Sequence, residues 1–165
     1  MSILGAIKST GQQTFTRLYA ANVSAASITN PIPQLARPTG DGVIDASLDN
    51  VSLVFFGTVS GGSQTATARV TGWRKTGSLW IPVPLLALSL TFGTQTGVAS
   101  ADVDNNQKFV TTITASTAFT TANEIISPGD NTIAEVKVDF HGCQFIQVDL
   151  AKGTCTDINA LVSTF

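Results

Sequence analysis

The chain has 165 residues, nine Lys and Arg against eleven Asp and Glu, and a single histidine. Charged residues make up only 12% of it and hydrophobic ones 43%, which excludes a disordered tail and leaves no charged footprint for nucleic acid or anionic lipid. The length suits one domain whose core needs no disulfide or metal.

The opening stretch MSILGAIKST carries too few apolar residues for a secretory signal, and no segment approaches the roughly 20 apolar residues of a membrane span. Residues 9–40, STGQQTFTRLYAANVSAASITNPIPQLARPTG, show no sustained period and end in Pro31, Pro33 and Pro38. Proline removes donors and holds backbone extended, so residues 1–42 read as an extended N-terminal arm and 43–165 as the folded domain. Either the arm is a partly ordered terminus without a role, or Phe15, Leu18, Tyr19, Ile32 and Leu35 dock on a neighbouring subunit.

From Val43 onward, β-branched residues punctuated by glycine predict short strands. VSLVFFGTV (51–59) turns Val51, Leu53 and Phe55 one way, with Val54 and Phe56 adding apolar weight to the other. The turn SGGS (60–63) and TATARVTGW (65–73) then suggest a hairpin. A further strand is expected at FVTTITAST (109–117), after a polar loop, and a turn at SPGDN (127–131). In TIAEVKVDF the residues Ala134, Val136, Val138 and Phe140 share a face, as do Ile146, Val148 and Leu150 in QFIQVDL. A three-residue loop at His141–Cys143 would pair Val138 with Ile146, Val136 with Val148 and Ala134 with Leu150. About seven or eight short strands without an amphipathic helix predict an all-β fold, an antiparallel β-sandwich or jelly roll.

SLWIPVPLLALSLTFG (78–93) is the most unusual stretch. Read as one extended strand, its even face is Trp80, Pro82, Pro84, Leu86, Leu88, Leu90 and Phe92. The odd face is apolar as well through Leu79, Ile81, Val83 and Leu85, before Ser89 and Thr91. Covering those last four apolar side chains is worth roughly 6–12 kcal/mol. Pro82 and Pro84 delete donors on one edge, which rules out a central ladder position there. Three readings stand. Identical subunits pack through Leu79, Trp80, Ile81, Val83 and Leu85; or the strand lies between two sheets of one subunit; or PLLALSL is a short core helix.

Residues that carry chemistry are sparse. His141, the one candidate base, falls in a turn beside Cys143 with no third group, and reads as a solvated turn histidine. Cys143 and Cys155 form no C-x-x-C pair and read as free structural thiols. Asp102, Asp104, Asn105 and Asn106 start like a calcium loop, but Gln107 stands where glycine belongs and no glutamate follows at the twelfth position. Glu135, Asp139 and Asp149 could share a face, with Lys137 among them as in a salt-bridged exterior. Gly61–Gly62 lacks the lysine and helix of a phosphate loop. Trp73 and Trp80 flank Arg74 and Lys75, an arrangement that stacks on sugars in some proteins and packs internally in more. No cofactor, metal, nucleic-acid or membrane partner is expected.

GSLWIPVPLLALSLTFGTQTGVA and EIISPGDNTIAEVKVDFHGCQFIQVDLAKGTCTDINALVSTF resemble small virion proteins of tailed bacteriophages, and the low charge, β-richness and arm are similar to capsid decoration (cement) proteins. The resemblance implies a non-enzymatic protein, made in the bacterial cytoplasm, that sits outside an icosahedral shell as a homo-oligomer, commonly a trimer, bridging major capsid subunits. No individual site residues carry over. The alternative is a carbohydrate-binding or tail- or neck-associated module using Trp73 and Trp80.

Overall fold

A computed structural model describes residues 15–45, 50–61, 63–93, 107–115, 124–126 and 133–164. These form β1 (Thr16–Arg17), β2 (Val43–Asp45), β3 (Asn50–Thr58), β4 (Gln64–Thr76), β5 (Leu79–Phe92), β6 (Gln107–Phe109), β7 (Thr112–Ala115), β8 (Glu124–Ile126), β9 (Glu135–Asp139), β10 (Phe145–Ala151) and β11 (Asp157–Thr164). Among the described residues there is no helix. The strands make an all-β sandwich of two sheets. Sheet one runs β1-β11-β3-β9-β8, with β6 also on β3; sheet two runs β2-β10-β4-β5-β7. Every pairing is antiparallel.

Alternation explains the core. Val51, Leu53 and Phe55 of β3, Val136 and Val138 of β9, and Ile158, Ala160 and Val162 of β11 face inward from sheet one. Ala66, Ala68 and Val70 of β4, Leu86, Leu88 and Leu90 of β5, and Ile146, Val148 and Leu150 of β10 meet them from sheet two. Strand β3 is central, flanked by β11 and by β9 and β6, and is buried on both faces from Val51 to Gly57. Its second face carries Val54 and Phe56, which join Phe109, Leu161 and the half-buried Phe15 in a separate cluster. A run apolar on both sides is what such a position requires.

Both expected hairpins are overturned. Strands β3 and β4 lie in opposite sheets, and so do β9 and β10, so the expected ladder from Val138–Ile146 to Ala134–Leu150 does not form. Two strands with one apolar face each can bury those faces by lying side by side or by facing each other across a core, and alternation alone does not separate the two. The His141–Gly142 turn is a corner between sheets. Both residues have positive φ, 49° and 69°, the Cys143 N–H donates to Phe140 O at 2.8 Å, and the His141 N–H donates to Asp139 Oδ1 at 2.5 Å.

A tight hairpin does form between β4 and β5, closed by Gly77–Ser78 with Thr76 opposite Leu79 and Gly77 at φ 60°. The strand expected at 109–117 also crosses between sheets. Val110 N–H bonds Phe55 O at 2.8 Å in sheet one, and Thr111 N–H bonds Thr91 O at 3.0 Å in sheet two. The SPGDN turn lies outside the described residues.

Candidate functional site

Strand β5 is not a continuous alternation. Val70 stands opposite Leu86 but Thr71 opposite Pro84, so Leu85 is an extra, unpaired residue. A bulge of one residue exchanges the faces beyond it. Val83 therefore packs on the same core as Leu86 and Leu88, with Leu79 and Ile81 in step with it, while Trp80, Pro82 and Pro84 turn outward. The ribbon with two apolar faces is thereby corrected: the odd positions before the bulge and the even positions after it share one inner face. Of the five residues expected at a subunit contact, Leu85 is 1% exposed in its own core and has no surface to offer. Leu79 is 40% exposed, and Trp80, Ile81 and Val83 are half-buried.

The first half of β5 has a sheet partner on one side only, because β7 pairs with Leu88–Thr91 alone. On the open side Trp80 exchanges two backbone hydrogen bonds with Gln34, at 3.0 and 2.8 Å. Pro82 and Pro84 are in step with Trp80, so their missing N–H groups fall on that same edge, where no ladder needs them. Ile32 and Leu35, on either side of Gln34, are 69% and 72% exposed. Leu79 and Pro84 of the strand are exposed as well.

Gln34 belongs to a strap, residues 18–42, that binds its own chain. Thr16 and Arg17 pair with β11, Val23 bridges Ile158, and the Lys152 N–H donates to Ala25 O at 2.9 Å. The strap then crosses the outer face of sheet two, where Arg69 donates to Thr29 O at 3.4 Å. It returns to β10 through Arg37, whose guanidinium pairs with Asp45 and lies 4.7 Å from the Phe145 ring centre. The residues expected as arm contacts lie here. Phe15 joins the outer cluster of sheet one, and Leu18 and Tyr19 pack against the main core. The Tyr19 hydroxyl donates to Val148 O. Gly42, at φ 86°, leaves room for it: an added Cβ would stand 2.6 Å from both the Tyr19 hydroxyl and Val148 O.

Between strap and sheet lies a cleft of about 470 Å³, walled by Tyr19, Asn30 and Gln34 and floored by Trp73, Gln147 and Asp149. Gln147 Nε2 donates to Asp149 Oδ1 at 2.8 Å. Burial raises the Asp149 carboxyl above its usual range, against the pull of that bond and of Arg69. Burial and the charges of Asp149 and Asp41 hold the Tyr19 phenol far above its ordinary value, so it stays neutral.

The aromatic residues pack internally. Trp73, 2% exposed, stacks on Phe145 with ring centres 6.2 Å apart, and Trp80 meets Phe145 at 5.1 Å. Trp73 thus has no free face for a sugar ring. His141 Nδ1 is 4.0 Å from Asp139 Oδ1, and Arg74 donates to the His141 carbonyl. Cys143 turns inward against Gly72, where an added Cβ would meet its sulfur at 2.3 Å. Glu135 and Asp139 lie on sheet one and Asp149 on sheet two, so the three carboxylates do not converge. Asp102, Asp104, Asn105, Asn106 and Gly62 lie outside the described residues. Among the described residues no group of His, Cys, Asp and Glu is placed to hold a metal ion, and no helix is long and apolar enough to cross a membrane.

Sequence reasoning missed Asp149 and Tyr19 as parts of one cleft. The strap joins residues more than a hundred positions apart, as Tyr19 and Val148 show, and no local pattern records that. No family model, curated protein or solved structure matches the chain.

Proposed function

We propose that this protein is a non-enzymatic component of a bacteriophage virion: a capsid decoration protein that binds the outside of an icosahedral shell as a closed homo-oligomer, a trimer, and stabilises it. The family comes from the resemblance of residues 77–99 and 124–165 to small virion proteins. The observation that carries the mode of action is the set of exposed apolar side chains beside the open edge of β5. There Leu79, Ile32 and Leu35 stay exposed on an edge whose prolines prevent another strand from adding. Such an edge packs side chain to side chain and does not propagate a sheet, which suits a contact that closes on itself.

A subunit that binds the assembled shell alone stabilises it by mass action, about 2.7 kcal/mol per site at a hundredfold excess over Kd. Repeated over a shell, that resists outward pressure from packaged DNA. The test is quantitative mass spectrometry of purified virions against the major capsid protein. Hundreds of copies per particle are expected; a handful places the chain in the tail or neck, and none removes it from the virion.

A further inference from the structure

The cleft beneath the strap has no part in that reading. We infer that it is a binding site for a saccharide, recognised by hydrogen bonds rather than by stacking.

Its polar groups are of both kinds, and several are unused. Trp73 Nε1, a pure donor in a residue 2% exposed, has no hydrogen-bond partner. Asp149 receives one hydrogen bond, from Gln147 to Oδ1, and its other oxygen accepts none among the described residues. The side-chain amides of Asn30 and Gln34 on the strap are likewise unengaged among the described residues. Buried polar groups in native proteins are nearly always satisfied, so the open Trp73 N–H, with half-buried Asp149 and Gln34 and exposed Asn30 around the same cleft, points to a ligand that supplies their complements. A sugar hydroxyl donates and accepts at once, which matches a wall carrying a carboxylate, an indole N–H and two amides.

Charge argues against a cationic ligand. Arg69 stands directly opposite Asp149 in the β4–β10 ladder and already offsets it. The Arg69 guanidinium also donates to Thr29 O on the strap. The volume of about 470 Å³ is within the range of small-molecule sites. Stacking is not available, because Trp73 is occupied by Phe145; what the indole retains is its N–H. That atom is closed to solvent in the unliganded chain, so the residues around it must shift as ligand enters.

The indole N–H also supplies the readout, since the chain has two tryptophans and Trp80→Phe assigns their signals. The ¹⁵N-labelled full chain is titrated with glucose, galactose, mannose and N-acetylglucosamine into the tens of millimolar, with guanidinium chloride as the cationic comparison. A saturable shift of the Trp73 indole signal by at least one sugar is expected, with affinity lowered at least tenfold by Asp149→Ala and by Asn30→Ala. Asn30 is exposed on the strap, so its variant remains informative should Asp149→Ala fail to fold. Three results overturn the inference: no saturable shift with any of the four sugars, saturation by guanidinium in their place, or unchanged affinity in the folded variants. None of these bears on copy number in the virion.

Discussion

Cys155 follows the Lys152–Thr154 turn, 2% exposed, with its thiol directed at the carbonyls of Lys152 and Asp157. Burial, reinforced by the nearby Asp157 charge, raises the thiol from 9.0 to about 11. The folded chain therefore holds its proton where the unfolded chain has lost it. Any stability from this group is complete below pH 9.0 and falls as pH rises toward about 11. Denaturant midpoints measured from pH 8 to 11 should decline across that window in the wild type and less steeply in Cys155→Ala; parallel curves would mean that the thiol is not buried as described. Asp149 follows the same sign in the acid range. Its raised carboxyl favours folding below the ordinary value of 3.8 and costs stability at neutrality, and a carboxylate kept at such a cost is a common mark of a binding position. That Cys155 is a free structural thiol could be read from the lack of a C-x-x-C pair. The burial of Asp149 could not, since β10 alternates equally well with its polar face in water.

At the scale of the element, β5 shows what periodicity can and cannot record. Its bounds, its strand character and the edge position implied by Pro82 and Pro84 are all visible in the sequence, because alternation and proline chemistry are local. The bulge is not visible. Leu85 and Leu86 are both apolar, so nothing marks which one is extra, and the odd and even faces are exchanged before Leu85 without any change in composition. The two mistaken hairpins share this origin. An apolar face tells a strand to bury itself but not whether its partner lies beside it or across the core. The prolines allow a direct experiment. Pro82→Thr with Pro84→Thr returns two donors to the open edge beyond Gln34, and thioflavin binding or turbidity at raised concentration should increase over the wild type. A double variant as soluble as the parent would show that the edge is protected by other means.

At the scale of the molecule, the strap and the open edge of β5 are joined, and exposed apolar side chains stand on both. Ile32 and Leu35 come from the strap and Leu79 from the β4–β5 hairpin, and the Gln34–Trp80 pairing holds them together. If identical copies shield one another there, light scattering should report more than one chain for the wild type. Leu35→Asp and Leu79→Asp should each shift the mass toward one chain with little change in thermal stability, because both side chains are already in contact with water. A monomeric wild type would remove the self-association on which the proposed mode of shell binding depends. The all-β class was legible from composition because β-branched residues and glycines act locally. The two-sheet topology was not, because the pairings that define it join residues as distant as Thr16 and Val162.

That distance bears on how the chain reaches its native state. Strand β3, the centre of sheet one, finds its long neighbour only in β11, with Val54 opposite Leu161. On a ribosome β3 is made well before β11 can pair with it, and sheet one stays incomplete until residues 157–164 have left the exit tunnel. Contacts so remote in sequence slow folding and lengthen the time that apolar strands stand open to wrong partners. The sparing use of charge that the proposed place on a shell would cover is thus a hazard during synthesis, and slow expression at low temperature is the condition under which this chain should be recovered soluble.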